Sequence, residues 1–397
     1  MSFTLTQKDL SLEINELILR LIGSRYSFAV WRVPNTERIN LIIEVDQYRQ
    51  KRLTENWELE NLTECFIINA YDDSHPPKPL MVNADIIMSY ESGEVETSIS
   101  PRTSGTAVDE FYQYIKNQPK FAFEHTSQIE EPADSFINNT KHAIENVRSG
   151  TLQKVVMSRS KDIPLPTGFH PYQTFRKAAE NYPNAFCYLT YTPEYGTWMG
   201  ATPERLITIE KGRHFRTDAL AGTQTLHPNT SLAEVAWRQK EIEEQAMVTR
   251  YIISCFKKIR LREYEEIGPR TTKAGNLAHL RSTFTVDMEA TQHQNLGSVM
   301  LDLLHPTSAV CGFPREAAHA FIKDHESFER ELFAGFLGPV NIDSATRLFV
   351  NLRCMKIDMD RVRLYAGAGI TSDSDPEKEF EETNQKMNTL LSVLLSK

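Results

Sequence analysis

Short apolar runs separated by polar, proline-bearing connections mark the first hundred residues, and those at 28–31, 40–45, 65–70 and 85–88 predict strands. The stretches 75–79 and 92–106 predict loops, and 107–117 predicts a short helix leading into a Glu-rich segment around Glu130. From Ser135 the pattern sharpens. Helical spacing ends at Gly150, and an alternating run, Gln153-Lys-Val-Val-Met-Ser-Arg, follows as a strand with Lys154 near its start. Pro171 opens a helix and 185–191 reads as a strand. Trp198-Met-Gly-Ala-Thr-Pro-Glu-Arg-Leu-Ile-Thr-Ile then crosses a tight Gly/Pro bend into another strand, and Lys211-Gly212 turns a hairpin.

Residues 231–258 carry a main apolar stripe, Leu232, Val235, Ile242, Ala246, Ile253 and Phe256, which predicts one long helix. A second stripe, Trp237, Glu241, Glu244, Val248, Ile252 and Cys255, is apolar at both ends with carboxylates in the middle, so those carboxylates should face something covered. Further on, strands at 347–358 and 362–366 form a hairpin across Met359-Asp360, and a last helix runs over 375–395. There is no internal repeat and no low-complexity segment.

Composition narrows the class only broadly. The 397 residues have the apolar and charged fractions of a globular protein. A net charge of −9 argues against broad nucleic-acid or anionic-membrane binding, while leaving room for a locally positive cleft. Cys65, Cys187, Cys255, Cys311 and Cys354 are odd in number and lack any CxxC pair, so no disulfide framework or zinc site is expected. No leader pattern or apolar membrane span is legible, and a cytoplasmic location is expected.

Several residues could carry chemistry, each with a bland alternative. The last helix opens Asp373-Ser-Asp-Pro-Glu-Lys-Glu, with Asp375 or Ser374 as cap, so part of its acidity is dipole complementarity. Yet Glu379, Glu382 and Lys386 follow one stripe, and Glu241 and Glu244 repeat the same i, i+3 spacing. Facing each other, the two pairs make an oxygen-rich site suited to magnesium; apart, they are solvated faces. Lys154 is either a snorkelling edge lysine or a buried amine of lowered pKa. Glu204 is a cap, an ion-pair partner or an acid. His305 in Leu-His-Pro-Thr suits a hydrogen-bonded loop as well as a catalyst. Arg353, in a predicted strand, needs an anionic partner if buried. Gly367-Ala-Gly369 is a carboxylate cradle or an ordinary strand end.

Taken in order, Lys154-Val-Val-Met-Ser-Arg, Met199-Gly-Ala-Thr-Pro-Glu-Arg-Leu, Leu220-Ala-Gly-Thr, Lys240-Glu-Ile-Glu-Glu-Gln, Leu304-His-Pro-Thr-Ser-Ala-Val-Cys-Gly-Phe-Pro, Glu329-Arg-Glu-Leu-Phe-Ala-Gly and Ala366-Gly-Ala-Gly-Ile-Thr-Ser-Asp-Ser-Asp-Pro-Glu-Lys-Glu-Phe-Glu-Glu-Thr resemble the chorismate-utilising enzymes over about 135–390. The resemblance implies an α/β (α+β) fold of two stacked, twisted antiparallel sheets flanked by outer helices, with the active site deep between them. It divides the chain into 1–130, a divergent N-terminal part of the same fold, and 131–397, the chorismate-binding catalytic region. It implies addition of water at ring C2 of chorismate as the C4 hydroxyl leaves, giving isochorismate.

By position in the matching blocks, Lys154 is the implied base, Glu204 the acid and His305 a group positioning water or a substrate hydroxyl. Glu244 and Glu382 are implied direct magnesium ligands, with Glu241 and Glu379 reaching the ion through water. Lys386 and the backbone around Gly222 and Thr223 would hold the ring carboxylate, and Arg353 with the backbone near Gly369 would grip the enolpyruvyl carboxylate. Within the family, a lysine at 154 favours water over the ammonia used by anthranilate synthases, so no glutamine amidotransferase subunit is expected. Ala221 stands where aminodeoxychorismate synthases carry a nucleophilic lysine. Salicylate synthases, which go on to eliminate pyruvate, are the alternative. Against them, Phe333, a substrate-contacting position, replaces their usual tyrosine, and the Leu304 block is closer to isochorismate synthases, although Ser308 replaces a proline. Glu241 for aspartate and Gln245 for histidine are further departures. A non-catalytic chorismate-binding module is the reading of another class, which the presence of acid, base and metal set opposes. A monomer is expected.

Overall fold

The computed structural model describes residues 10–47, 52–53, 57–71, 77–124, 135–226, 231–274 and 277–396. The Glu-rich segment around Glu130 and the start of the predicted loop at 75–79 lie outside the described residues.

Two antiparallel sheets form the body. The ten-stranded one runs from the short strand Gly312–Phe313 through Lys154–Pro164, Arg361–Ile370, Cys354–Ile357, Gly196–Thr202 and Phe186–Thr192, then out to Ser27–Arg32, Ile39–Glu44, Ile86–Glu91 and Glu94–Ile99. The eight-stranded one runs Glu265–Ala274, Leu277–Asp287, His214–Thr225, Arg205–Glu210, Ala345–Val350, Phe336–Val340, Cys65–Asn69 and Leu80–Asn83. Strands from the first hundred residues thus complete the far ends of both sheets.

Burial follows position. Phe186–Thr192 is buried along its whole length, as a central strand covered on both faces must be. Glu94–Ile99 is almost wholly exposed, and it corrects the loop expected at 92–106. It carries little apolar signal and forms because Ser92 and Gly93, both at positive φ, turn it back on Ile86–Glu91. Between the sheets lies an aromatic core in which Phe186 stacks on Phe349 with centroids 4.2 Å apart, and Trp198 on Tyr365 at 5.3 Å. The outer face of the ten-stranded sheet is covered by helices Leu10–Leu21, Gly105–Asn117, Pro171–Asn181 and Pro376–Leu395. The first of these has Ile14, Ile18 and Leu21 on one face, at helical spacing in the sequence.

Two expectations are corrected in ways that matter for the site. The long helix begins only at Gln239 and runs to Lys258; Ser231 caps a separate short turn, Leu232–Glu234. Its main apolar stripe is covered only at its far end, where Phe256 is buried; Ile242 is 45% exposed and Leu232, outside the helix, 37%, whereas Glu241, Gln245, Val248, Ile252 and Cys255 are all buried. The second stripe is therefore the covered one, packed on His214–Thr225 and Leu277–Asp287. The predicted hairpin across Met359-Asp360 forms, Cys354–Ile357 pairing with Arg361–Ile370, but the strand expected at 347–358 is split between sheets: Ala345–Val350 belongs to the eight-stranded sheet and Cys354–Ile357 to the other, so Arg353 sits in the crossing and not in a strand.

Candidate active site

Lys154, Val156 and Ser158 alternate onto one face of their strand, alongside Gly369 and Gly367 of Arg361–Ile370. The Lys154 side chain is 2% exposed, and its Nζ donates to Glu244 Oε1 at 2.9 Å. Gly369 is glycine for a spatial reason: a Cβ there would lie 2.8 Å from Lys154 Cε and 3.0 Å from Glu244 Oε1.

Glu204 stands where the chain passes from Gly196–Thr202 in one sheet to Arg205–Glu210 in the other, round Pro203. Arg353 occupies the neighbouring passage in the opposite sense. The two passages are stitched together: Val350 N donates to Glu204 O at 3.0 Å, Ala201 N to Arg353 O at 3.0 Å, and Thr202 Oγ1 to Val350 O at 2.6 Å. Arg353 adopts φ +48°, a left-handed conformation that costs on the order of 1 kcal/mol for a residue with a side chain. Acid and arginine are thereby held side by side at the seam of the sheets.

Burial pushes the Glu204 carboxyl up to about 7, against the pull of Lys154, Arg353 and Lys386 and with help from Asp218. The guanidinium of Arg353 has no ion pair among the described residues, and burial brings it down to about 10 despite Glu382 and Glu204. An arginine inside a cleft without a carboxylate partner is a ready anion site. Lys386 donates to Gly367 O at 2.8 Å and pairs with Glu382 at 2.7 Å. Phe333, stacked on Tyr365 at 5.5 Å, lines a small cavity of about 50 Å³ with Val156, Arg353, Gly367 and Lys386. Ser158 and Tyr365 also line it, and their buried hydroxyls have no hydrogen-bond partner among the described residues.

At the cleft mouth a cavity of about 430 Å³ is lined by Thr223, Arg238, Lys240, Glu379 and Glu382. The helices Gln239–Lys258 and Pro376–Leu395 bring their carboxylates to this region. Gly222, at φ +70°, lies against Glu241, whose Cβ would be 3.1 Å from any Cβ at 222. Lys240 bridges the helices to Glu379 at 2.6 Å, and Arg238 pairs with Glu241. Burial and then repulsion from Glu382 raise the Glu379 carboxyl. For Glu244, burial acts upward but Lys154, Lys386 and Lys240 together hold it below the usual range. As the side chains lie, no three acidic, imidazole or thiol groups among the described residues are close enough to hold one ion. The donor chemistry nevertheless fits a hard divalent cation: Glu241, Glu244, Glu379 and Glu382 are all oxygen donors, sit on facing helices, and each holds a lysine or arginine in the place of a positive ion.

His305 takes other partners, Asn69 at 3.2 Å and the ring of Phe336, both on the eight-stranded sheet, while its carbonyl accepts from Arg315. The imidazole that does feel Arg353, Lys386 and Glu244 is His279, a lone histidine in the strand Leu277–Asp287 that no sequence motif marks. Its Nδ1 lies 2.8 Å from Gly222 O, which can only accept, so Nδ1 carries the proton and the buried Nε2, without a partner among the described residues, is left as an acceptor. Burial, then Arg353, lowers it to about 3, so it is neutral. Gln245 ties the helix to the sheet beneath, donating to Ala219 O at 3.1 Å and Ser282 Oγ at 3.3 Å.

A family model described as chorismate binding enzyme matches residues 80–395. The chain is 27% identical over 329 residues to the isochorismate synthase DhbC of Bacillus subtilis (strain 168), an alignment covering 80% of this chain and 81% of that protein. It is 30% identical over 258 residues to the isochorismate synthase MenF of Escherichia coli (strain K12), covering 64% of this chain and 58% of that one, less than two thirds of its length. The solved structure of that menaquinone-specific enzyme is similar in fold, with a TM-score of 0.75 over 95% of this chain and 91% of that chain at 23% identity.

Proposed function

Because the chain belongs to the chorismate binding enzymes, we propose that it is an isochorismate synthase, adding water at C2 of chorismate while the C4 hydroxyl departs. The observation that carries this is the convergence in one cleft of a buried lysine, a buried carboxyl raised to about 7 and an arginine without a counter-ion. Lys154 takes a proton from the attacking water as its oxygen bonds to C2; Glu204 gives a proton to the C4 oxygen, which leaves as water as the ring double bonds shift. The two proton transfers balance, so the product is an isomer of the substrate. Arg353 holds the enolpyruvyl carboxylate, Lys386 and the Gly222 to Thr223 backbone hold the ring carboxylate, and His279 Nε2 accepts from a hydroxyl or water in the cleft. Phe333 contributes an apolar wall and no further proton donor.

In this reading Glu244 and Glu382 would hold magnesium directly, with Glu241 and Glu379 reaching it through water, and the bound ion would neutralise the ring carboxylate and make the ring more electrophilic. Glu244→Ala and Glu382→Ala should each raise the magnesium concentration needed for half-maximal rate by about tenfold or more, read from metal titrations. An unchanged requirement in both variants removes the site.

The test of the activity is incubation of purified protein with chorismate and magnesium, followed by chromatographic separation. Isochorismate is the expected product. Salicylate with pyruvate would assign the salicylate-synthase alternative, and unchanged chorismate would refute catalysis.

A further inference from the structure

The block Glu329-Arg-Glu-Leu-Phe-Ala-Gly contains a charge that none of the chemistry above uses. Arg330 and Glu326 form a pair whose side chains are each 3% exposed, with contacts of 2.7 Å from Nε to Oε2 and 2.6 Å from Nη2 to Oε1. Burying two charges is costly, and apolar residues of similar volume can fill such a space with no loss of stability. The worth of the pair therefore lies in its directed bonds.

Those bonds complete an unfinished sheet edge. The strand Gly312–Phe313 pairs only with Lys154 and Val155, and its margin is extended by Val156 N donating to Cys311 O. Beyond that point the Lys154 strand has no strand neighbour on this side among the described residues. Arg330 Nη2 donates to Val156 O at 2.8 Å and Glu326 Oε1 accepts from Ser158 N at 2.7 Å, which continues the ladder with side chains. Arg330 Nη1 also donates to Val310 O at 2.8 Å, and the guanidinium lies over the rings of Tyr71 and Phe333 at 4.4 and 5.9 Å. Val156, Val310 and Phe333 are three walls of the small cavity beside Arg353.

We propose that Arg330 and Glu326 are positioning residues which fix the spacing between the Lys154 strand and the Val310 and Phe333 walls, and so set the base at proton-transfer distance from the water that attacks the ring. This rests on the isochorismate synthase reading of the same cleft. Guanidinium geometry is essential to it, because a lysine ammonium cannot reach a carboxylate and carbonyls on two segments in fixed directions.

The decisive variant replaces the pair by apolar residues, Arg330→Met with Glu326→Leu, which should still fold, with a melting temperature lowered only by the loss of partners for Val156 O, Val310 O and Ser158 N. Its kcat should fall about a hundredfold with the KM for chorismate within about threefold, since misplacement of the base by an ångström is felt in the chemical step and not in carboxylate binding. Amide exchange should quicken in peptides covering 154–160 and 305–311 and stay unchanged elsewhere. Arg330→Lys should recover little of the rate. A stable double variant with kcat within about threefold of the parent overturns the proposal, as does a loss of rate that only tracks a fall in melting temperature with faster exchange throughout. If the parent protein leaves chorismate unchanged, the functional reading falls and the kinetic half with it. The exchange arm is then read alone: unchanged exchange at 154–160 also overturns the spacing role, and local quickening upholds it.

Discussion

Lys154→Ala should turn chorismate over about a thousandfold more slowly than the parent enzyme, the usual range for losing a positioned base, while still binding it. Binding should survive because the carboxylate grips, Arg353 and Lys386, are untouched. Steady-state kinetics read the loss in kcat, and equilibrium titration with chorismate reads the retained affinity. The substitution also strips Glu244 of its 2.9 Å partner. Lys386 and Lys240 remain in reach of that carboxylate, so the fold should hold, and a melting curve checks this. Undiminished turnover would remove Lys154 as the base.

Glu204→Gln should produce two effects of opposite sign. Rate should fall by about a hundredfold to a thousandfold, because the amide cannot donate the proton that the departing hydroxyl needs. In the parent, kcat/KM should decline by about tenfold per pH unit above about 7, as the acid loses its proton in the free enzyme. Stability should move the other way. The folded carboxyl, at about 7, lies above its ordinary 4.5, so the folded state binds the proton more tightly than the unfolded chain does. The stability from this group is full below about 4.5, declines as pH rises, and is lost above about 7. A glutamine suffers no such decline, so the variant should be roughly 3 kcal/mol more stable than the parent at pH 8 and equal to it at pH 4. Denaturant unfolding at both pH values measures it; equal stability at pH 8 would mean that the carboxyl is not held protonated by its surroundings.

Local pattern carried much of the fold. The strand at Lys154, the helix opened by Pro171 and the Asp375 cap, whose carboxylate accepts from Glu377 N and Lys378 N at 3.1 Å each, all depend on neighbours within a few residues. What pattern missed was nonlocal. The helix Gln239–Lys258 buries Glu241 and leaves the neighbouring Ile242 exposed, because Arg238 at its own start pairs with Glu241 and Lys154 from a distant strand pairs with Glu244. Sheet membership on either side of Arg353 is likewise invisible to alternation. The proposed pairing of Lys154 with Glu204 as base and acid rests on the ordered family blocks, since each alone reads as well as an ordinary structural residue. His279 escaped because a lone histidine in a strand carries no signal until the irregularity near Gly222 turns it into the cleft.

The paired passages at Glu204 and Arg353 have a consequence for assembly. Each residue belongs to a segment that exists only when both sheets have formed and met, since one end of every passage is anchored in each sheet. A partly folded chain with one sheet in place could not hold the acid and the anion grip together. Recovery of chorismate binding during refolding should therefore lag the recovery of strand signal in circular dichroism and coincide with docking of the sheets, making the ligand a reporter of the last cooperative step.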